Sequence, residues 1–173
     1  NVYFTYSRGV GKNMGGFIES YLKMMDLEFS YKSIIKVHTK ENKKWLFALL
    51  YSLIGSKNII DNNLKLLNNK KIGMIGYGKT DILECMTNKS NNYRFLGEYL
   101  NLFNIELKDN NNFIPGGIFW IKTNVIKKYF TKETLKYLYK NLEKPEIEDN
   151  IDSIERLFGI IITTQDKIIY GVD

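Results

Sequence analysis

Ser33-Ile-Ile-Lys-Val-His-Thr-Lys-Glu-Asn-Lys-Lys-Trp45 is the stretch on which the reading of this chain turns. Ile34, Ile35 and Val37 form a short apolar run of the length expected for a buried strand, with Lys36 interrupting it. The run stops at His38, the only histidine of the protein, and Thr39 and Lys40 follow at once. A helical apolar pattern then begins at Trp45. Strand, polar corner and helix in that order form an α/β unit. In open α/β sheets, ligands bind in the crevice beyond the carboxyl ends of the strands, which is where His38, Thr39 and Lys40 fall. A lone histidine at a strand end also serves as a plain hydrogen-bonding residue, so both roles stand at this point.

Working outward, residues 2–6 are strand-like, and Ser7-Arg8-Gly9-Val10-Gly11-Lys12-Asn13-Met14-Gly15-Gly16 is a basic, glycine-rich loop. A helix follows, with Phe17, Ile18, Tyr21, Leu22, Met25 and Leu27 broadly on one face. The order invites a phosphate-loop reading. However, Asn13 stands after Gly11-Lys12 where that loop needs Ser or Thr, and no glycine stands five residues before Gly11. What remains is anion attraction by Arg8 and the backbone N–H groups of the helix start, against a plain turn.

Downstream of the central stretch, helices are expected over 44–54, capped by Gly55, and over 58–68, with Ile59, Ile60, Leu64 and Leu67 inward. Residues 71–76 form a strand whose Gly73, Gly76 and Gly78 match a dinucleotide fingerprint only loosely, and a structural strand with a turn is the better reading. A helix over 93–103, a polar loop over 108–112 and an aromatic strand after Pro115-Gly116-Gly117 come next. Adjacent glycines permit close backbone approach to a ligand or another strand. Helices over 123–129 and 132–142 follow. The block Glu146-Ile-Glu-Asp-Asn-Ile-Asp-Ser-Ile-Glu-Arg-Leu-Phe-Gly159 then starts a helix rich in acids, with Ile151, Ile154, Leu157 and Phe158 as its apolar face. A strand over 167–172 ends the chain, and the alternation throughout is α/β.

The 173 residues fit one domain over 1–173, and 44% hydrophobic with 14% aromatic content is globular rather than disordered. A net charge of +6 suits an anionic partner: a nucleotide, a nucleic acid or an acidic membrane surface. Lysines spread along the whole chain count against dedicated nucleic-acid binding. Cys85 stands alone, which precludes an intramolecular disulfide and fits a reducing, cytoplasmic compartment. One Cys and one His build no metal cluster, although carboxylates remain able to hold a hard cation. The longest apolar run, 46–54, is too short to span a bilayer.

Taken in order, several blocks resemble the rhamnan synthesis protein F family of glycosyltransferases. They are Arg8-Gly9 ahead of Gly16-Phe17, Lys36-Val-His-Thr-Lys40 with Trp45 following, and Leu50 through Leu53-Ile-Gly55. Further on they are Ile72-Gly-Met-Ile-Gly76, Pro115-Gly-Gly-Ile-Phe-Trp120 and Ile154-Glu-Arg-Leu-Phe-Gly159. The resemblance implies a GT-A-like, Rossmann-like open mixed sheet flanked by helices, with the first nucleotide-binding strand upstream of Asn1 in a longer chain. It also implies transfer of a sugar, often rhamnose from a dTDP-sugar, to a surface polysaccharide. Such folds usually carry an Asp-x-Asp metal motif where this chain has His38-Thr39-Lys40. Lys40 with His38 is therefore expected to neutralise the diphosphate, with no cofactor required and a divalent cation held open. Where the family has a histidine ahead of Glu155-Arg156, this chain has Asp152.

The expected donor site is Arg8, Gly9, His38, Thr39, Lys40, Glu155 and Arg156, with Glu155 turned inward onto Lys40 or Arg8. Asp149 is the first choice of catalytic base, with Glu148 and Asp152 behind it. Gly116, Gly117 and Trp120 are assigned to the acceptor. The expected partners are a nucleotide-sugar donor and a glycan acceptor, and peripheral association with the inner face of a membrane is left open. The alternative is a non-catalytic module that binds glycan or nucleic acid through the same basic cleft.

Overall fold

The computed structural model describes residues 7–28, 30–78, 83–84, 95–108, 111–145 and 147–173. The first helix, α1 (Lys12–Asp26), starts behind Gly11, whose φ of 67° is left-handed, and buries Met14, Ile18 and Tyr21 at helical spacing. Strand β1 (Ser33–Lys36) follows, then α2 (Lys43–Ile54) and α3 (Lys57–Asn68). Both of these helices begin on side-chain caps: Asn42 accepts from the Trp45 N–H and Ser56 from the Ile59 N–H. Strands β2 (Ile72–Tyr77) and β3 (Leu83–Glu84), helix α4 (Leu96–Phe103), and strands β4 (Asn112–Phe113) and β5 (Phe119–Lys122) come next. Helices α5 (Thr123–Ile126), α6 (Lys132–Asn141) and α7 (Ile147–Thr163) lead to β6 (Ile168–Val172).

Among the described residues, four strands form an open sheet in the order β1-β5-β2-β6, and β3 pairs with β4 separately. Both β1 and β2 run antiparallel to β5, and β6 runs parallel to β2. The sheet is therefore mixed, and the carboxyl ends of β1, β2 and β6 share one edge with the turn that enters β5. The fold class is α/β. Alternation along β5 divides the core: Phe119 and Ile121 face one layer, Trp120 the other. On the first side α1, α4, α6 and α7 contribute to one cluster, within which the Phe158 ring lies 5.1 Å from Phe119, 5.2 Å from Phe130 and 5.3 Å from Phe17. On the second side α2 and α3 bring Leu49, Leu53 and Leu67 onto Ile72, Ile75 and Trp120. A register shift between Ile72 and Met74 lets Ile72 and Ile75 share that face despite their odd spacing.

Several expectations are corrected by this packing. Strand β1, expected as a buried run through Val37, ends at Lys36, lies at an edge of the four described strands and leaves Val37 48% exposed. Gly55 ends α2 at φ −61° and ψ −21°, in the right-handed region, so its role is not a left-handed cap. Leu64, expected inward, is 37% exposed. Within the polar run after Lys108, Asn111 is buried, and its Oδ1 accepts from Thr163 Oγ1 at 2.5 Å. In β2, a Cβ on Gly76 would stand 2.2 Å from Ile114 Cδ1 and one on Gly73 2.9 Å from Ile162 Cγ2. These glycines admit neighbouring side chains, in keeping with a structural strand. The strand expected over 2–6 lies outside the described residues.

Candidate functional site

Lys36 lies under the site. On β1 it shares a face with Ile34 and alternates with Ile35, so its side chain enters the layer of α1 and α7 and is only 4% exposed. Its ammonium donates to Asn13 Oδ1 and to the Gly117 carbonyl, each at 2.7 Å, and lies 5.9 Å from the centre of the Phe119 ring. Burial pushes the Lys36 pKa down to about 7, with nearby Lys40 adding to the fall and Glu155 opposing it.

The turn into β5 is built around Gly116 and Gly117, at φ 88° and 62°. A Cβ on Gly116 would meet the Trp45 ring at 2.8 Å, and one on Gly117 would meet Glu155 Oε1 at 2.7 Å. Three side chains clamp this turn. Lys36 holds the Gly117 carbonyl; His38 Nε2 lies 2.8 Å from the Gly116 carbonyl; and the Gly116 N–H donates to Glu155 Oε2 at 3.3 Å. His38 Nδ1 faces the Thr39 carbonyl at 2.7 Å, so both ring nitrogens meet acceptors although a neutral imidazole donates through only one. Burial and the neighbouring Lys36 lower the His38 pKa, whereas the two carbonyls favour the cation. Glu155 moves the opposite way: burial raises its pKa, and Gly116 N–H, Lys36 and Lys40 restrain the rise.

Above this floor opens a cleft of ≈ 920 Å³ lined by Lys12, Asn13, His38, Thr39, Lys40, Glu41, Asn42 and Trp45. Asn42 caps α2 on the Trp45 N–H, and the indole carries the Lys40 ammonium 4.4 Å from the centre of its ring. Burial lowers the Lys40 pKa, and Glu155 counters it. A second hollow of ≈ 430 Å³ lies on the other side of Lys36 and His38, against Phe17, Tyr21 and Met24.

The acids of α7 separate by helical geometry. At 100° per residue, Glu148, Asp152 and Glu155 fall on one stripe, while Asp149 and Arg156 lie on its flank. Both ends of the stripe are fixed at the cleft: Glu148 pairs with Lys12, and Glu155 holds Gly116. Asp152 stands between them and acts electrostatically on Glu155. The expected first choice of base, Asp149, thus lies off the line that runs along the cleft.

The structure brings His38, Thr39, Lys40, Gly116, Gly117 and Glu155 together with Glu148 nearby. It leaves Arg8, Gly9, Arg156 and Trp120 outside that group. Arg8 lies 3.6 Å from Glu19 and 3.8 Å from Glu143 with its guanidinium over Tyr139, so its charge is engaged by α1 and the end of α6, and Glu155 does not hold it. Arg156 donates to the Asp152 carbonyl and stacks 4.8 Å from the Phe113 ring centre. Trp120 is 8% exposed in the α2–α3 core with its N–H on the Leu53 carbonyl, leaving no ring face for a sugar. Gly9 is exposed at φ 75° with open space around it.

Residues missed from the sequence are Lys36, Asn13, Lys12 and Trp45. Lys36 did leave a signal, a single charge inside Ile-Ile-x-Val, whereas Asn13 registered only as a defect in a phosphate loop. Among the described residues no group of three or more His, Cys, Asp and Glu side chains is arranged to hold a metal ion. Nor is any helix among them long and apolar enough to cross a membrane. Compared with protein-family models, curated proteins and solved structures, the chain matches none.

Proposed function

We propose that the cleft beyond β1 receives the diphosphate of a nucleotide-sugar and that the chain is a glycosyltransferase domain of GT-A-like architecture. Rhamnose is the donor sugar and a polysaccharide the acceptor that the sequence resemblance favours. The observation that carries the reading is the convergence of Lys36, His38 and Lys40 on one diglycine turn, beside a stripe of carboxylates, at the carboxyl edge of an open mixed sheet. Perturbed acids and bases gathered at a cleft in this way are the mark of a functional site.

In the proposed reaction the acceptor hydroxyl oxygen attacks the anomeric carbon of the donor. The bond from that carbon to the phosphate oxygen breaks, and its electron pair leaves with the nucleoside diphosphate. Lys40 meets the charge developing on the leaving group, with Lys12, paired to Glu148, at the cleft beside it. Asp152, on the stripe between Glu148 and Glu155, takes the acceptor proton. Glu155 keeps the diglycine turn and Lys36 in place.

Calorimetric titration with a panel of nucleoside diphosphates and nucleotide-sugars tests this. One diphosphate is expected to bind selectively, and Lys40→Ala to weaken it about tenfold, the loss of one charged contact. Glu155→Gln removes the carboxylate that holds up the Lys36 pKa. At neutral pH it is expected to weaken nucleotide binding more than it lowers the melting temperature. A large loss of stability with unchanged nucleotide affinity would refute the site role of Glu155. Binding of free glycan with no response to any nucleotide would replace the enzyme reading by the non-catalytic module.

A further inference from the structure

Helix α2 buries Leu49, Ser52 and Leu53 on one side and presents an unusual opposite face. There Phe47 is 68% exposed and Tyr51 57%, the two most exposed large hydrophobic residues among those described, with rings stacked 5.8 Å apart. Positions 43, 47 and 51 succeed one another at i, i+4 and i+8, and position 44 lies three before Phe47, so exposed Lys43 and Lys44 extend the aromatic stripe. The helix contains no acidic residue, and among the described residues neither lysine is ion-paired with an acid. By contrast Lys57, just beyond the helix, pairs with Asp61 at 2.6 Å.

We propose that this face docks α2 in the plane of an anionic lipid surface, with Lys43 and Lys44 at the headgroups and Phe47 and Tyr51 at the acyl boundary. Exposed rings beside unpaired lysines on one helix face are the chemistry of an interfacial segment, and the positive charge complements acidic headgroups. The first turn of the same helix supplies Asn42 and Trp45 to the cleft. Trp45 points about 160° away from Phe47 around α2, so docking keeps the cleft near the bilayer but on the far side of the helix from it, and on the glycosyltransferase reading the cleft stays open to solution. The docking itself does not depend on that reading.

Sedimentation with vesicles tests it, using phosphatidylcholine alone and phosphatidylcholine mixed with phosphatidylserine. The protein is expected to sediment with the mixed vesicles only, and raised salt to release it. The double variants Phe47→Ser/Tyr51→Ser and Lys43→Glu/Lys44→Glu are each expected to lower the partition about tenfold. Their melting temperatures and nucleotide titrations should not change, since all four side chains lie outside the cleft lining. Absence of vesicle binding, equal binding to neutral vesicles, or full binding by both variants overturns the proposal. So does a soluble dimer that Phe47→Ser/Tyr51→Ser dissolves, which would assign the face to a second copy. Loss of nucleotide binding with vesicle binding intact would instead sink the enzyme reading alone.

Discussion

Lys36 shows how one residue can be plain in a sequence and still be misread. It interrupts an apolar run, and a charge at that place is as easily a strand ending as a buried ammonium. Only the turn before β5, 81 positions away, supplies the Gly117 carbonyl that holds it. Trp120 went astray for a related reason: adjacent strand residues face opposite layers, and nothing local says which layer borders the cleft. The buried lysine has a measurable consequence. Its folded pKa of about 7 lies below its ordinary value of 10.5, so between those limits the unfolded chain binds more protons than the folded one. Stability therefore rises with pH across that window, and below it the full cost of burying the charge is present. Lys36→Met removes the effect. In urea denaturation at several pH values from 7 to 10.5, wild-type stability is expected to climb relative to Lys36→Met by up to about 1.4 kcal/mol per pH unit. A constant difference between the two proteins would mean that the ammonium is not desolvated.

Elements were more legible than residues, because each long helix carries its own periodicity. The expected helices over 44–54, 58–68 and 132–142 correspond to α2, α3 and α6 within a residue or so of their ends. The strands over 71–76 and 167–172 correspond to β2 and β6 in the same way. Gly55 misleads because a glycine after a helix usually marks a left-handed cap, whereas here Gly55 stays right-handed and the chain changes direction at the next residue, the extended Ser56 that caps α3. Gly159 is the opposite case, a glycine inside a helix. There α7 crosses β4 so closely that a Cβ would lie 2.0 Å from the Asn112 carbonyl oxygen and 2.6 Å from Phe113 Cα. These are backbone atoms and have no rotamer to yield. Gly159→Ala gains about 1 kcal/mol of helix propensity yet must part the helix from the strand. The expected net result is a loss of about 2 kcal/mol, read as a lower denaturation midpoint. A midpoint that stays or rises would show that α7 can lift from β4 without penalty.

At the scale of the molecule, the α/β class and the location of the polar corner followed from alternation, but strand order did not. An apolar run of four residues does not encode its neighbours, so the antiparallel β5 between β1 and β2 emerges only from long-range pairing. That insertion is what carries the diglycine turn to the carboxyl edge, where the lysines meet it. The same arrangement decides how the cleft treats an anion. Lys12 is already matched by Glu148 and Lys36 is depressed by burial, which leaves Lys40, over the Trp45 face, as the cation best placed to respond. If fixed lysines meet the diphosphate, its affinity should be unaffected by EDTA and should fall as salt rises. Screening acts over about 10 Å at 0.1 M ionic strength, and a net charge of +6 adds to the attraction that is lost. Titration of the same nucleoside diphosphate in buffer, in EDTA and in increasing sodium chloride distinguishes the cases. Affinity lost in EDTA and restored by manganese would place a metal between protein and phosphate, with Asp149 or Asp152 the carboxylates to test as its ligands. Affinity indifferent to salt would instead mean that the nucleotide is held by uncharged contacts, and that the lysines serve the fold.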